Sequence, residues 1–154
     1  MRRHPVSHNR IVPALGLLIA LALSPPCHAA ESASVLKDGA KLRSSPGEKG
    51  EVLWELSRGY PLVVIGRKDT WAQVRDFEGD KGWVPASLLA KKKTVIVRSD
   101  KASLRVGPGQ DYEVVAAVRY GVVLEPQEQE RDWLRVRHRD GTSGWILAEL
   151  VWPR

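Results

Sequence analysis

From Val35 onward the apolar residues come in short runs broken by Gly, Pro, Asp or Ser, and within the strongest runs the period is two. In Trp133-Leu134-Arg135-Val136-Arg137, Leu134 and Val136 fall on one face and Trp133, Arg135 and Arg137 on the other, because successive side chains of a strand point to opposite sides. The pattern predicts strands at Val35–Lys37, Lys41–Ser44, Val52–Leu56, Leu62–Gly66, Trp71–Arg75 and Gly82–Pro85. A second set follows at Val95–Arg98, Ser103–Val106, Val114–Val118, Val122–Glu125, Trp133–Arg137 and Gly144–Ile146. Short, evenly spaced strands with turn residues between them argue for an all-β barrel or sandwich. A helix would need apolar residues three and four apart over ten or more positions, and Gly and Pro recur too often for that. Only Ala86–Leu88 and Ala148–Leu150 suit a single tight helical turn. Asp76–Gly82 and His138–Gly144 read as hairpin loops, and Glu31–Ser34 as a small, polar, flexible lead-in.

The two sets are copies. Residues 36–89 align with 98–151 at a constant offset of 62, with 18 of 54 positions identical and no gap. The matches fall on turns and core positions, and a repeat period sets architecture before other features are read. It divides the chain into domains at 35–89 and 94–152 around a basic linker at 90–93, Ala90-Lys91-Lys92-Lys93. Four linker residues leave little freedom, so the modules are expected to be close neighbours with a restricted mutual orientation. Each is about 55 residues, a size at which only roughly 60% of the unfolded surface is buried, so each should lean on the other. Trp54 and Trp152, which the repeat does not match, are candidates for the seam. The copies differ most at Val63–Thr70 against Glu125–Asp132, which leaves two binding faces free to be unequal.

Residues 1–29 change the charge picture. Met1–Arg10 carries three arginines and no acid, Ile11–Leu23 is an apolar run of 13, and Pro25–Ala30 ends in small residues. This is the pattern of a cleaved signal peptide, with cleavage after Ala29, or else after Ala30. A run of 13 residues spans roughly 20 Å, too short for a hydrocarbon core of about 30 Å, so no transmembrane anchor is expected in the mature chain. Cys27 as a lipidated residue fits poorly, because Pro26 precedes it. The expected location is therefore periplasmic or extracellular. Removing Arg2, Arg3 and Arg10 takes 24 basic side chains to 21 against 18 acidic ones, so a formal charge of +6 becomes +3. That is too mild for nucleic acid, which calls for a dense basic stripe. Removal also takes Cys27 and three of four histidines, so no disulfide can support the modules.

The order Leu-Arg, Pro-Gly, Trp-x-x-Val-Arg and Gly-x-x-Gly-Trp occurs twice, at Leu42-Arg43, Pro46-Gly47, Trp71–Arg75 and Gly79–Trp83, and at Leu104-Arg105, Pro108-Gly109, Trp133–Arg137 and Gly141–Trp145. In this the chain resembles the bacterial SH3-like domain. The resemblance covers nearly the whole mature chain. It implies two tandem small SH3-like β-barrels, usually exported, that serve as targeting or binding modules in cell-wall proteins.

The strands opened by Trp71 and Trp133 carry the candidate ligand-binding residues: Trp71, Gln73, Arg75 and Pro85 in the first module, Trp133, Arg135 and Arg137 in the second. An indole beside guanidinium groups suits stacking on a sugar or peptide and pairing with a carboxylate. The alternative is a tryptophan covering a barrel mouth beside solvated arginines. A proline-peptide groove of the eukaryotic kind is disfavoured, since Leu88 and Leu150 stand where it has a tyrosine and Leu147 where it has a proline. Trp83 and Trp145 are expected in core or rim packing. Asp76, Glu78 and Asp80 alternate but lack the spacing and closing glutamate of a calcium loop. His138, the one histidine after the signal, has no cysteine partner and no counterpart at Asp76, so neither a zinc site nor a triad is expected. No metal, no cofactor and no catalytic residue is assigned. The expected class is a non-catalytic exported binding module for cell-wall peptidoglycan, monomeric, with a docking module for an envelope protein as the alternative. Two weak copies on a short linker raise avidity for a repetitive polymer.

Overall fold

Seven strands from each repeat form two sheets of identical order. The computed structural model describes residues 30–154, and the signal expected at 1–29 lies outside the described residues. In the first module β1 (Glu31–Val35), β2 (Ala40–Arg43), β3 (Val52–Leu56), β4 (Pro61–Lys68), β5 (Trp71–Arg75), β6 (Lys81–Pro85) and β7 (Leu89–Ala90) are arranged in the order β3-β2-β6-β5-β4-β1-β7. In the second, β8 (Val95–Val97), β9 (Ala102–Arg105), β10 (Val114–Val118), β11 (Val123–Glu130), β12 (Trp133–Arg137), β13 (Ser143–Leu147) and β14 (Val151–Trp152) repeat it as β10-β9-β13-β12-β11-β8-β14. Single 3-10 turns at Ala86–Leu88 and Ala148–Leu150 sit where the sequence left room for one.

The cores match at most positions. Leu42, Leu62, Val74 and Val84 are sealed in the first module, and Leu104, Leu124, Val136 and Ile146, each 62 residues later, in the second. Fully burying each such side chain contributes about 1.5–3 kcal/mol. Gly82 and Gly144 let β6 and β13 cross close over the neighbouring strand. A Cβ on Gly82 would lie 2.6 Å from Leu42 Cγ and 2.9 Å from the Arg43 carbonyl oxygen, and one on Gly144 2.8 Å from Leu104 Cβ.

Backbone irregularities repeat too. β4 shifts register against β5 between Val64 and Gly66, and β11 against β12 between Pro126 and Glu128. Asp69 and Arg131 then turn the chain with the same φ of 51°. These paired features lie inside the stretch where the two copies share no residue. There the hairpin is held by its neighbours in the sheet rather than by local sequence.

Two expectations change. Glu31–Ser34 is not a flexible lead-in: these residues lie in β1, which pairs with β4 from Glu31 opposite Val64 to Ser34 opposite Pro61. Ala33, Ser34 and Val35 are all buried there, so the strand is covered on both faces at its end rather than alternating. The linker is also shorter, because Ala90 belongs to β7 and pairs with Ser34.

The modules are tied together. The buried Thr94 donates its hydroxyl to the Gly59 carbonyl oxygen at 2.7 Å, and Lys92 pairs with Glu125 at 2.6 Å. Tyr60, Phe77 and Tyr120 form an aromatic row across the seam, with ring centroids 6.1 and 5.2 Å apart. Arg75 lies over the Trp152 ring at 6.0 Å, so Trp152 is a seam residue, as the repeat mismatch foreshadowed. Trp54 instead stands on β3 with 55% of its surface exposed. Among the described residues no helix is long and apolar enough to cross a membrane.

Candidate functional site

The alternation of β5 and β12 sorts their side chains as their sequence requires. Ala72, Val74 and Val136 are buried, Leu134 packs partly buried against the second core, and the remaining residues face outward. Registry then sets which outward residues are neighbours, since directly opposed side chains share a face. In the first module Trp71 lies opposite Pro85 and Lys68, Gln73 opposite Trp83, and Arg75 opposite Lys81. In the second, Trp133 lies opposite Leu147 and Glu130, Arg135 opposite Trp145 and Glu128, and Arg137 opposite Ser143 and Glu125.

Trp83 and Trp145 therefore belong to the outer faces and not to the cores. Both are half-buried, with Gly82, Val84, Gly144 and Ile146 carrying the inward positions. The signal was present in Gly-Trp-Val-Pro and Gly-Trp-Ile-Leu, where one-residue alternation aims the indole outward if the following Val or Ile is core. Beside them stand Arg43, opposite Trp83, and Arg105, opposite Trp145. These two arginines brace loops. Arg43 donates to the carbonyl oxygens of Gly50 at 2.8 Å and Glu48 at 3.0 Å, and pairs with the Glu48 carboxylate at 2.8 Å. Arg105 donates to the Tyr112 carbonyl oxygen at 2.7 Å, the acceptor 62 residues after Gly50. The repeated Leu-Arg motif thus has a structural use: it braces the long loop before β3 and β10.

The predicted site residues do not form one constellation. Trp133 opens onto a cavity of about 700 Å3 whose walls include Leu147, Leu150, Lys101, Arg105 and Arg119. Arg137, about 13 Å further along the strand at roughly 3.3 Å per residue, lines a different cavity between the modules. Arg135 is exposed and paired with Glu128 at 2.9 Å. In the first module Arg75 is engaged with Trp152 at the seam, while Trp71 and Pro85 sit together, half-buried, at the other end of the strand.

The faces around the two leading tryptophans differ in charge. Lys101, Arg105 and Arg119 face one acid, Asp100, at the Trp133 cavity. The repeat puts Gly39, Arg43 and Ser57 at the positions of the three cations and Glu48 and Glu55 at those of Gln110 and Ala117. An indole, two leucines and a cationic rim suit an acyl or sugar group that carries a carboxylate. In the first module Lys68 stands opposite Trp71, and Glu48 is taken up by Arg43.

The hairpin carboxylates are occupied with folding. Buried Asp76 accepts the backbone N–H groups of Glu78 at 3.0 Å and Asp80 at 2.8 Å, and burial pushes its carboxyl up from the ordinary value against those bonds. Glu78 accepts the Tyr120 hydroxyl at 2.6 Å. Carboxylate oxygens of Asp76, Glu78 and Asp80 lie within 4.8 Å of one another, a closeness that the tight turn accounts for. His138 directs Nδ1 to Asp140 at 3.0 Å. The Thr142 backbone N–H, its hydroxyl and His138 hold the Asp140 carboxyl down at about 2.

Comparison with known proteins agrees with this architecture. A family model described as bacterial SH3 domain matches residues 37–91 and again 98–153. A putative N-acetylmuramoyl-L-alanine amidase of Bacillus subtilis, YrvJ, is 25% identical over 130 residues, covering 77% of this chain and 25% of its own length. The chain thus spans a quarter of that relative. Solved structures with local similarity include NlpC2 from Trichomonas vaginalis, at 14% identity, TM-score 0.38, and coverage of 82% of this chain and 49% of that one. An NlpC/P60 family protein from Bacillus cereus aligns at 15% identity, TM-score 0.36, and coverage of 78% and 55%.

Proposed function

The chain belongs to the bacterial SH3 domain family, and we propose that it is a non-catalytic exported module that engages cell-wall peptidoglycan, chiefly through the Trp133 cavity of the second barrel. The observation that carries this reading is the cavity itself: an indole, Leu147 and Leu150 form an apolar wall beside the cationic rim of Lys101 and Arg119. That chemistry fits the junction of a glycan with its peptide, where acetyl and lactyl groups lie beside carboxylates. The amidase relative takes its name from the N-acetylmuramoyl-L-alanine bond. Trp71 supplies a second, weaker contact, so the pair gains avidity on a repetitive polymer. The non-catalytic assignment draws on the engagement of Asp76 with its own turn. Mature residues 30–154 should sediment with purified sacculi, and a folded Trp133→Ala variant should remain largely in the supernatant. Equal sedimentation of the two proteins would sink the proposal.

A second reading, docking to an envelope protein, draws on a different surface. The edge strands β3 and β10 expose Val52, Leu53, Trp54, Val114 and Val115, and an unpaired edge with apolar side chains is a template for a partner strand. Crosslinking from position 53 in the envelope should capture one dominant protein if this reading holds, and a scatter of weak products would count against it.

A further inference from the structure

Between the modules lies a cavity of about 810 Å3 to which both contribute. Arg58 enters from the first module, Arg137 and Arg139 from the second, and Lys92 from the linker, facing the carboxylates of Asp38 and Glu125. Lys92 is satisfied by Glu125, and Asp38 accepts the backbone N–H of Arg58 at 2.8 Å. Among the described residues no hydrogen bond or ion pair takes up the guanidinium of Arg58, Arg137 or Arg139, and all three residues are exposed. Four cations against two carboxylates leave a surplus of two positive charges facing one cleft.

We propose that this cleft is a binding site, distinct from the Trp133 cavity, for a short peptide that carries two carboxylates. Guanidinium groups on opposite walls can each take a carboxylate in a forked pair, a geometry that a lysine cannot offer. Between them the exposed Leu36 and the half-buried Val122 and Val123 provide an apolar floor for an aliphatic side chain. The walls are held in place before any ligand arrives, because Thr94 bonds Gly59 at the edge of the cleft and Tyr120 bonds Glu78 beside it. A preformed site spares the ligand the cost of ordering it. β12 carries Trp133 at one end and Arg137 at the other, so one strand serves both cavities. The charge preference stands on the cleft alone. Identifying the peptide as a wall stem rests on the function proposed above.

The test is an NMR titration of mature protein with N-acetyl-Ala-γ-Glu-Ala, which bears two carboxylates, and with its neutral diamide. The charged peptide should shift the backbone signals of Gly59, Gly121, Val122 and Val123, and the diamide should bind at least about tenfold more weakly. Arg58→Gln and Arg139→Gln should each weaken the charged peptide by about tenfold, with Arg58→Lys retaining part of the affinity. In both glutamine variants the Trp133 indole signal should still respond to soluble wall fragments as in the wild type, which separates failure of the cleft from failure of the wall reading. Equal binding of the diamide, shifts confined to the Trp133 cavity, or no shift at millimolar peptide would each overturn the proposal.

Discussion

The hydroxyl of Tyr120, in the second module, donates to the Glu78 carboxylate of the first at 2.6 Å, and its ring lies 5.2 Å from that of Phe77. The bond to Glu78 holds the Tyr120 hydroxyl above its ordinary titration range. Burial does the same for Tyr60 at the far end of the row, with the Asp76 and Glu78 carboxylates adding to it. A polar tip and an apolar ring side by side make a hinge point that resists both sliding and opening.

Tyr120→Ala should therefore loosen the modules while leaving both barrels folded. Residual dipolar couplings fitted with one alignment tensor for the wild type should require two for the variant. Tyr120→Phe keeps the ring contact and should fall between the two. A variant that still fits one tensor would show that Thr94 and the linker suffice.

Gly144 supports a sharper stability test. A Cβ there would meet Leu104 Cβ at 2.8 Å and the Arg105 carbonyl oxygen at 3.0 Å, so backbone as well as side chain would have to move. Overpacking of this kind costs about 1–3 kcal/mol. Gly144→Ala should lower the urea midpoint of the second module by the equivalent of about 2 kcal/mol without changing the slope, and Gly82→Ala should do the same in the first.

The core, the strand positions of both modules and the outward aim of Trp133 were legible because period-two alternation and the repeat agree at Val74 and Val136. For Trp83 and Trp145, expected in core or rim packing, a tryptophan after glycine reads equally well either way, and the burial of Val84 and Ile146 puts both indoles at the rim. β1 was missed because Ser32, Ala33 and Ser34 have weak strand propensity, and their partners Val63, Leu62 and Pro61 are 27 to 31 residues away. The separation of Trp133 from Arg137 into two cavities depends on how the modules dock, which spacing within one strand does not encode.

The two hairpins should respond to acid in opposite senses. Asp76, whose carboxyl is raised by burial, keeps its proton longer in the folded state than in the unfolded chain, so its contribution to stability falls as pH rises above the ordinary value of 3.8. Asp140, held down at about 2, contributes fully above 3.8 and loses that contribution as pH falls toward 2. Asp140→Asn should flatten the loss of stability below pH 3.8. Asp76→Asn retains the acceptor oxygen for Glu78 and Asp80 and should remove the decline above it. Urea midpoints measured from pH 2 to 7 read both effects, and parallel curves for all three proteins would refute the assignment.

The charge contrast between the tryptophan faces gives the last prediction. Lys101 and Arg119 flank Trp133 where the first module has Gly39 and Ser57. If the Trp133 cavity takes an acidic wall fragment, Lys101→Gly with Arg119→Ser gives the second module the first module's residues there without touching the indole. An exposed cation is worth about 0.2–1 kcal/mol to a paired anion, so the double change should weaken the fragment by roughly 2- to 30-fold. Added salt should weaken the wild type toward the same affinity while barely affecting the variant. Trp71→Ala should cost less than Trp133→Ala in the same fluorescence titration, because Gly39 and Ser57 stand in the first module where the second has Lys101 and Arg119. Equal losses from the two tryptophan variants, with no dependence on salt, would mean that the indoles act alone and that the rim charges contribute nothing to recognition.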